Sequence, residues 1–177
     1  PAFSEDEITT ESFEDYSELD SRGRAHTAYA CIGSDLRPTG KREDIRKIKP
    51  AGWVQHKYPG IVDEDPPYLY NRSHLIAHML TGENANERNL ITGTRYFNAE
   101  GMQPYELEVN DYIWETDNHV MYRVTPVYQG KNLIADGVLM EAYSVEDGGR
   151  GIEFCVFVYN VHPGIIIDYL TGENWKE

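Results

Sequence analysis

A short segment near the middle of the chain places an arginine two residues before a histidine, in the run Asn71-Arg72-Ser73-His74. Asn98 follows at loop distance, and Glu106 comes eight residues after it. Hydrolysis of a phosphodiester needs a base for the attacking water, a cation for the charge on the leaving oxygen, and positive groups that hold the phosphate. An imidazole titrates near neutral pH and can be that base, and an arginine can hold phosphate. These residue types suit metal-assisted hydrolysis of a phosphodiester.

Asn98 and Glu106 offer the oxygen atoms that Mg²⁺ prefers. A Mg²⁺ ion that keeps most of its water needs few protein ligands, so an Asp-rich cluster is not required. On one continuous α-helix the two residues would lie about 80° apart around the axis and could face one site. Pro104, which is acceptable only in a first helical turn, also allows a helix that begins after Asn98.

Spacing alone leaves other interpretations open. A single histidine often has a structural role, and asparagines in loops commonly bond their own backbone. His74 and His78 lie four residues apart and could share a helical face as zinc ligands, although the sequence offers no evident third ligand. A glycine-rich phosphate loop, a Gly-x-Ser-x-Gly motif and a cysteine pair at zinc spacing are absent from the sequence.

The elements around these residues predict an α+β fold with a mostly antiparallel sheet and few helices. The predicted strands cover residues 26–33, 53–58, 68–70, 120–128, 133–142, 152–161 and 165–169. The predicted helices cover residues 41–49, 75–80 and 103–115. Residues 84–97 show no periodicity and predict an ordered loop. Residues 152–161 are apolar on both faces and predict a central strand.

With 177 residues, the chain has the size of one domain. Residues 1–25 are acidic and predict an exposed, flexible segment before a single domain over residues 26–177. The net charge of −14 argues against binding of nucleic acid through the global field. Residues 21–58, however, hold nine of the 16 lysines and arginines against three acids. Within this basic region, the candidate nucleic-acid contacts are Arg42, Arg46 and Lys47.

Two further features limit the interpretation. Cys31 and Cys155 both lie in apolar, strand-like runs, which predicts two buried free thiols, although the sequence leaves a disulfide between them open. No apolar run approaches the roughly 20 residues that a membrane helix needs, and none resembles the core of a signal peptide.

The segments that surround the candidate site resemble the DNA/RNA non-specific endonuclease family of ββα-metal nucleases, closest to its bacterial DNA-entry and secreted-DNase branch. The family signature is usually Asp-Arg-Gly-His, so Asn71 and Ser73 depart from it, whereas Arg72 and His74 agree. The departure at Asn71 leaves open how the loop around His74 is braced. The resemblance rests on residues 70–76, 80–95, 98 and 101–102, with weaker similarity at 122–128, 158–161 and 167–169.

By motif position, the resemblance implies that His74 is the general base and that Asn98 is the direct metal ligand. It implies that Glu106 holds metal-bound water, that Asn89 supports the metal site and that Arg72 contacts phosphate. Arg95 is a further candidate contact for nucleic acid. The family likeness also implies a ββα-metal core on a central sheet, a requirement for Mg²⁺ or Mn²⁺, and cleavage that leaves 5′-phosphates. The expected substrate is DNA, with RNA as an alternative, and the expected location is secreted or at a bacterial cell surface.

Two other functions stay open at this point. A catalytically silent module could hold DNA or a surface polymer through its tyrosine-rich sheet and residues 41–49. A toxin-type nuclease would need an immunity or inhibitor protein as its partner. The sequence does not decide the oligomeric state or the preference between DNA and RNA.

Overall fold

A five-stranded antiparallel sheet is the centre of the structure, a computed structural model that describes residues 2–177. The strands of the chain are β1 (Phe13–Tyr16), β2 (Ala28–Ile32), β3 (Tyr70–His74), β4 (Leu90–Thr94), β5 (Val120–Val127), β6 (Gly137–Ser144), β7 (Glu153–Tyr159), β8 (Ile165–Ile167) and β9 (Asn174–Lys176). The large sheet has the order β1-β2-β5-β6-β7, while β3 pairs with β4 and β8 pairs with β9, each antiparallel. The α+β class and the mostly antiparallel sheet are therefore confirmed.

Two α-helices accompany the sheets, α1 (His78–Thr81) and α2 (Gln103–Thr116). A π-helical segment, Phe97–Met102, leads directly into α2. Apolar residues of α2, such as Val109 and Ile113, pack in the main core together with the inward side chains of the large sheet. The order β3, β4, α2 is the strand-strand-helix arrangement that the resemblance implies. The helix predicted over residues 103–115 is confirmed within one residue.

Residues 41–49 form no helix, contrary to the prediction. The Asp44 side chain accepts a hydrogen bond from the backbone N–H of Arg46 at 2.9 Å, which competes with helical bonding. The carbonyls of Arg46 and Ile48 accept hydrogen bonds from Arg72 instead of from a following turn. This segment is therefore an exposed loop, and Arg72 of β3 holds it in place.

Two strand predictions also differ from the structure. Residues 53–58 lie in a loop that makes one isolated bridge, between Lys57 and Tyr68. The predicted loop over residues 84–97 contains β4, all five residues of which are buried. The polar residues of β4 conceal its strand character in the sequence. In the structure, the buried side chain of Asn160 accepts a hydrogen bond from the backbone N–H of Thr94 and donates one to the carbonyl of Thr92.

β7 is an edge strand and not the central strand that its apolar composition predicts. Its outward-facing residues are exposed, including Cys155, Phe157 and Tyr159. Both cysteines are free thiols, as expected, but only Cys31 is buried. The prediction that Cys155 is buried is wrong because the outer face of β7 has no covering layer.

The acidic N-terminal segment is integrated into the fold, which corrects its predicted exposure. β1 forms one edge of the large sheet by pairing with β2. Phe3 is only 1% exposed and packs with Cys31 and Met121 on the outer face of the sheet. Arg123 binds Glu7 at 3.1 Å and donates a hydrogen bond to the carbonyl of Ala2 at 2.8 Å. The pairing of Glu7 with Arg123 therefore lets this acidic segment pack against the sheet.

The helices described among residues 2–177 include none that is both long enough and apolar enough to span a bilayer.

Candidate active site

His74, Asn98 and Glu106 line one cavity of about 370 Å³. The cavity lies where β3, the segment before α1, the π-helical segment and α2 meet. Its polar lining consists of Arg42, Asn71, Arg72, His74, His78, Arg95, Asn98, Gln103 and Glu106. The three residues that the sequence analysis assigned to the base, the metal ligand and the water-holding carboxylate are thus brought together.

His74 is the last residue of β3 and pairs with Leu90 of β4. Burial lowers the pKa of His74 to about 4, and the positive charge of Arg42 and the neighbouring His78 act in the same direction. The backbone of Asn84 has a smaller, opposing effect on this pKa. The imidazole is therefore neutral at physiological pH, which is the form that accepts a proton.

Glu106 lies on the buried face of α2, at helical spacing from Val109 and Ile113. It is only 7% exposed, and burial raises its pKa to about 7. Burial is the one cause of this shift, so no cation among residues 2–177 offsets the cost of a charge at this position. A buried carboxylate without a protein cation suits a site that receives a cation from solution.

The π-helical segment sets the position of Asn98. Thr94, at the end of β4, accepts a hydrogen bond from the backbone N–H of Phe97 at 2.9 Å, which fixes the start of the segment. Gly101 lets the segment approach β7 closely, because a larger side chain there would collide with Val158. The helical angle expected between Asn98 and Glu106 does not apply, since a π-helix has more residues per turn than an α-helix.

Asn89 does not line the cavity. Its amide oxygen accepts a hydrogen bond from the backbone N–H of Ile76, and its amide nitrogen donates one to the Ile76 carbonyl, both at 2.9 Å. Asn89 is fully buried, and its own carbonyl accepts a hydrogen bond from the N–H of Leu75. The contacts of Asn89 brace the chain just after His74.

Arg72 lines the cavity, but its guanidinium already has protein partners. The Nε atom donates to the carbonyl of Ile48 at 2.5 Å, and Nη2 donates to the carbonyl of Arg46 at 2.7 Å. The guanidinium also stacks on Trp53, with 4.3 Å to the ring centroid. These contacts fix the loop of residues 41–50 beside the site.

The other basic candidates have different surroundings. Arg42 and Arg95 line the cavity, and Arg95 lies 3.7 Å from the carboxylate of Glu64. Arg46 lines an adjoining groove of about 620 Å³ and forms an exposed ion pair with Asp44 at 2.8 Å. Lys47 is exposed and lines neither cavity. The structure therefore brings Arg42 and Arg95 to the site, and leaves Lys47 outside it.

His78 also lines the cavity, although the sequence pattern did not predict this location. Its Nε2 atom is buried without a hydrogen-bond partner, and burial lowers its pKa. Its spacing from His74 drew attention to it only as a zinc ligand. Among residues 2–177, no group of three or more histidine, cysteine, aspartate or glutamate side chains is arranged to hold a metal. A zinc site built on the two histidines consequently lacks a third ligand of these types.

Two solved structures have a similar overall fold. NucA from Streptococcus agalactiae with a bound magnesium ion superposes with a TM-score of 0.83 at 26% identity, over 96% of this chain and 80% of that chain. The Sda1 nuclease with a bound zinc ion superposes with a TM-score of 0.80 at 32% identity, over 93% of this chain and 82% of that chain.

Sequence comparison points in the same direction. A curated deoxyribonuclease of Streptococcus dysgalactiae subsp. equisimilis is 38% identical over 110 residues, which cover 59% of this chain and 32% of the relative. The matched part thus spans about a third of that relative's length. The model of the DNA/RNA non-specific endonuclease family matches residues 4–146, most of the chain. The chain therefore belongs to the DNA/RNA non-specific endonuclease family.

Proposed function

We propose that this chain is a divalent-metal-dependent endonuclease that hydrolyses phosphodiester bonds of DNA, with RNA as a second substrate. The observation that carries the proposal is the convergence of His74, Asn98 and Glu106 on one cavity. Family membership and the similarity to a curated deoxyribonuclease support DNA as the substrate.

The donor set of the cavity fits a hard divalent cation. Asn98 offers an amide oxygen, and Glu106 offers a buried carboxylate for the coordination shell. Oxygen donors suit Mg²⁺, with Mn²⁺ as a substitute, better than they suit zinc. The two similar structures hold magnesium and zinc, respectively, so the metal itself is part of the proposal. When bound, the cation supplies positive charge for the leaving oxygen of the phosphate.

The chain's own groups account for the remaining chemistry. The neutral imidazole of His74 accepts the proton of the attacking water. Arg42 lines the same cavity and acts on the His74 pKa through its charge, which suits a phosphate contact beside the base. Arg72 is bound to the carbonyls of Arg46 and Ile48, so we assign it to holding the loop that carries Arg42.

A plasmid-cleavage assay tests this function. The parent protein should cut plasmid DNA with Mg²⁺ or Mn²⁺, and EDTA should stop it. His74→Ala should be slower by about 10²-fold or more, because the general base is lost. His56→Ala is the matched control, since His56 is half-exposed and lines neither the active-site cavity nor the adjoining groove. An intact plasmid with both metals, or equal rates for His74→Ala and the parent, would refute the proposal. Retention of DNA without cleavage would favour the silent binding module.

Secretion, which the family resemblance implies, stays a prediction. An inhibitor protein stays an alternative that belongs to a toxin-type nuclease.

A further inference from the structure

A second, smaller cavity of about 180 Å³ adjoins the active-site cavity. We name it the side cavity and define it by Asp63, Arg95, Tyr96, Glu100, His162 and Pro163. Arg95 lines both cavities. The side cavity and the candidate metal ligand also share one backbone segment, since Tyr96 lies two residues before Asn98. A nucleotide next to the phosphate under attack would therefore come within reach of the side cavity.

The lining of the side cavity does not suit a phosphate group. Asp63 and Glu100 both face it with exposed carboxylates, which repel an anion. Its one cation, Arg95, already lies 3.7 Å from a Glu64 carboxylate oxygen. A ligand that binds in the side cavity is therefore neutral or carries N–H donors for the carboxylates.

An aromatic ring is the largest apolar group that the side cavity offers. Tyr96 is 42% exposed, and its ring lies 6.0 Å from that of His162 at an angle of 65°. The angle means that the two rings do not stack face to face, and the exposed part of the Tyr96 ring can contact a planar ligand. Nucleobases are planar groups that stack on tyrosine and can donate an N–H to a carboxylate.

We propose that the side cavity is a base-binding subsite, in which one unpaired base of the substrate strand stacks on Tyr96 beside the cleaved phosphate. The inference rests on the proposed function and adds a substrate preference to it. A base inside a duplex is stacked on both faces, so the subsite takes bases from single strands or from nucleotides that leave the stack. Arg95 lines both cavities and therefore lies between that base and the active site.

Binding to the His74→Ala protein, in which cleavage is strongly reduced, tests the subsite separately from cleavage. In the His74→Ala protein with Mg²⁺, fluorescence anisotropy compares a labelled oligodeoxyadenylate with an abasic deoxyribose-phosphate chain of the same length. Tyr96→Leu should weaken binding of the oligodeoxyadenylate by about 5-fold to 100-fold, as expected for the loss of one base–aromatic stack. Its affinity for the abasic chain should not change, because that chain has no base to stack.

Two further variants separate stacking from a general effect on the surface. Tyr96→Phe keeps the ring and should bind the oligodeoxyadenylate like the background protein. Tyr159→Leu removes another exposed tyrosine, one that lines neither cavity, and should have no effect. Equal affinity of Tyr96→Leu and the background for the oligodeoxyadenylate would overturn the subsite. An equal loss of affinity for the oligodeoxyadenylate and the abasic chain would also overturn it.

The parent's plasmid assay distinguishes failure of the subsite from failure of the proposed function. If the parent does not cut DNA with Mg²⁺ or Mn²⁺, the function is wrong. If the parent cuts DNA but Tyr96→Leu binds the oligodeoxyadenylate as tightly as the background does, only the subsite is wrong.

Discussion

Burial acts in opposite directions on the two ionisable groups that define the site. It lowers the pKa of His74 to about 4 and raises the pKa of Glu106 to about 7. Both shifts favour the neutral form of the side chain, because a charge is costly where water is excluded. The imidazole is therefore in the neutral form that accepts a proton, whereas the carboxylate becomes a good partner for a cation only when it ionises.

Glu106→Gln should make the protein more stable above pH 7. A folded-state pKa above the unfolded value means that the folded state binds more protons between the two pKa values, so stability falls as pH rises through that window. From the ordinary glutamate pKa of 4.5 to the folded value near 7, this cost amounts to about 3 kcal/mol. Glutamine carries no charge and avoids this cost. Denaturant unfolding without metal should therefore show a more stable Glu106→Gln protein at about pH 8 and little difference from the parent at about pH 4.

Addition of Mg²⁺ provides the control for this prediction. At about pH 8, Mg²⁺ should stabilise the parent more than it stabilises Glu106→Gln, because only the parent offers a carboxylate to the cation. A variant that is no more stable than the parent at high pH would mean that Glu106 is not destabilised by burial.

At the scale of elements, the site depends on how β3, β4 and the loop before them are held. Arg72 fixes the loop of residues 41–50 through two backbone carbonyls, and Asn89 fixes the chain after β3 through Ile76. Their motif positions suggested a phosphate contact for Arg72 and support of the metal site for Asn89. Their hydrogen bonds instead organise the segments that carry Arg42 and His74.

Substitutions of Arg42 and Arg72 should affect different properties, substrate binding for Arg42 and stability for Arg72. Arg42→Gln should raise KM severalfold and reduce the salt dependence of DNA binding, because an exposed cation is lost from the cavity. Its unfolding should be unchanged. Arg72→Gln should lower the free energy of unfolding by about 2 kcal/mol, since charged hydrogen bonds to two carbonyls are lost.

Lys47→Gln is the matched control for this pair, because it removes an exposed charge of the same loop that lines neither cavity. Its KM should stay closer to the parent value than that of Arg42→Gln. A larger KM effect for Arg72→Gln at unchanged stability would return the phosphate contact to Arg72.

Asn89→Ala should destabilise the protein by about 2–4 kcal/mol. The change leaves the N–H and carbonyl of Ile76 buried without partners, and each costs about 1–3 kcal/mol. Asn86→Ala, which removes a cap from an exposed turn, should cost about 1 kcal/mol. Thermal unfolding measures both. A fall in kcat for Asn89→Ala at unchanged stability would show that Asn89 acts at the metal.

At the scale of the whole molecule, the large sheet has a cover on each face. The main core, with α2, fills one face, and the N-terminal segment covers part of the other through Phe3. Arg123 adds a cation–π contact to Phe3 at 4.7 Å and ion pairs to Glu7 and Glu141. The acidic start of the chain thus belongs to the stability of the domain.

Phe3→Ala should lower the free energy of unfolding by about 3–5 kcal/mol, the usual cost of removing a buried aromatic side chain. Plasmid cleavage at a temperature where the variant is folded should be unchanged, because Phe3 lies outside the active-site cavity. Phe157→Ala, at 37% exposure, should cost less and serves as the control. Equal unfolding free energies for Phe3→Ala and the parent would mean that the segment is not docked in solution.

The sequence by itself determined which residues were candidates for the site and how they are spaced. His74, Asn98 and Glu106 were recognisable through the family resemblance, because the motif positions that carry it are a property of the chain alone. The three residues line one cavity. The helix over residues 103–115 was also predictable, since its apolar positions repeat with a local, helical period.

Only the tertiary structure decided what surrounds those residues. β4 was hidden because its polar groups are bonded by Asn160, which lies far along the chain. Arg72 and Asn89 have structural contacts that depend on carbonyl and N–H groups of other segments. The side cavity beside Tyr96 exists only in the folded chain, because residues as far apart in sequence as Asp63 and His162 line it. Burial and hydrogen-bond partners are long-range properties, and a local sequence pattern does not carry them.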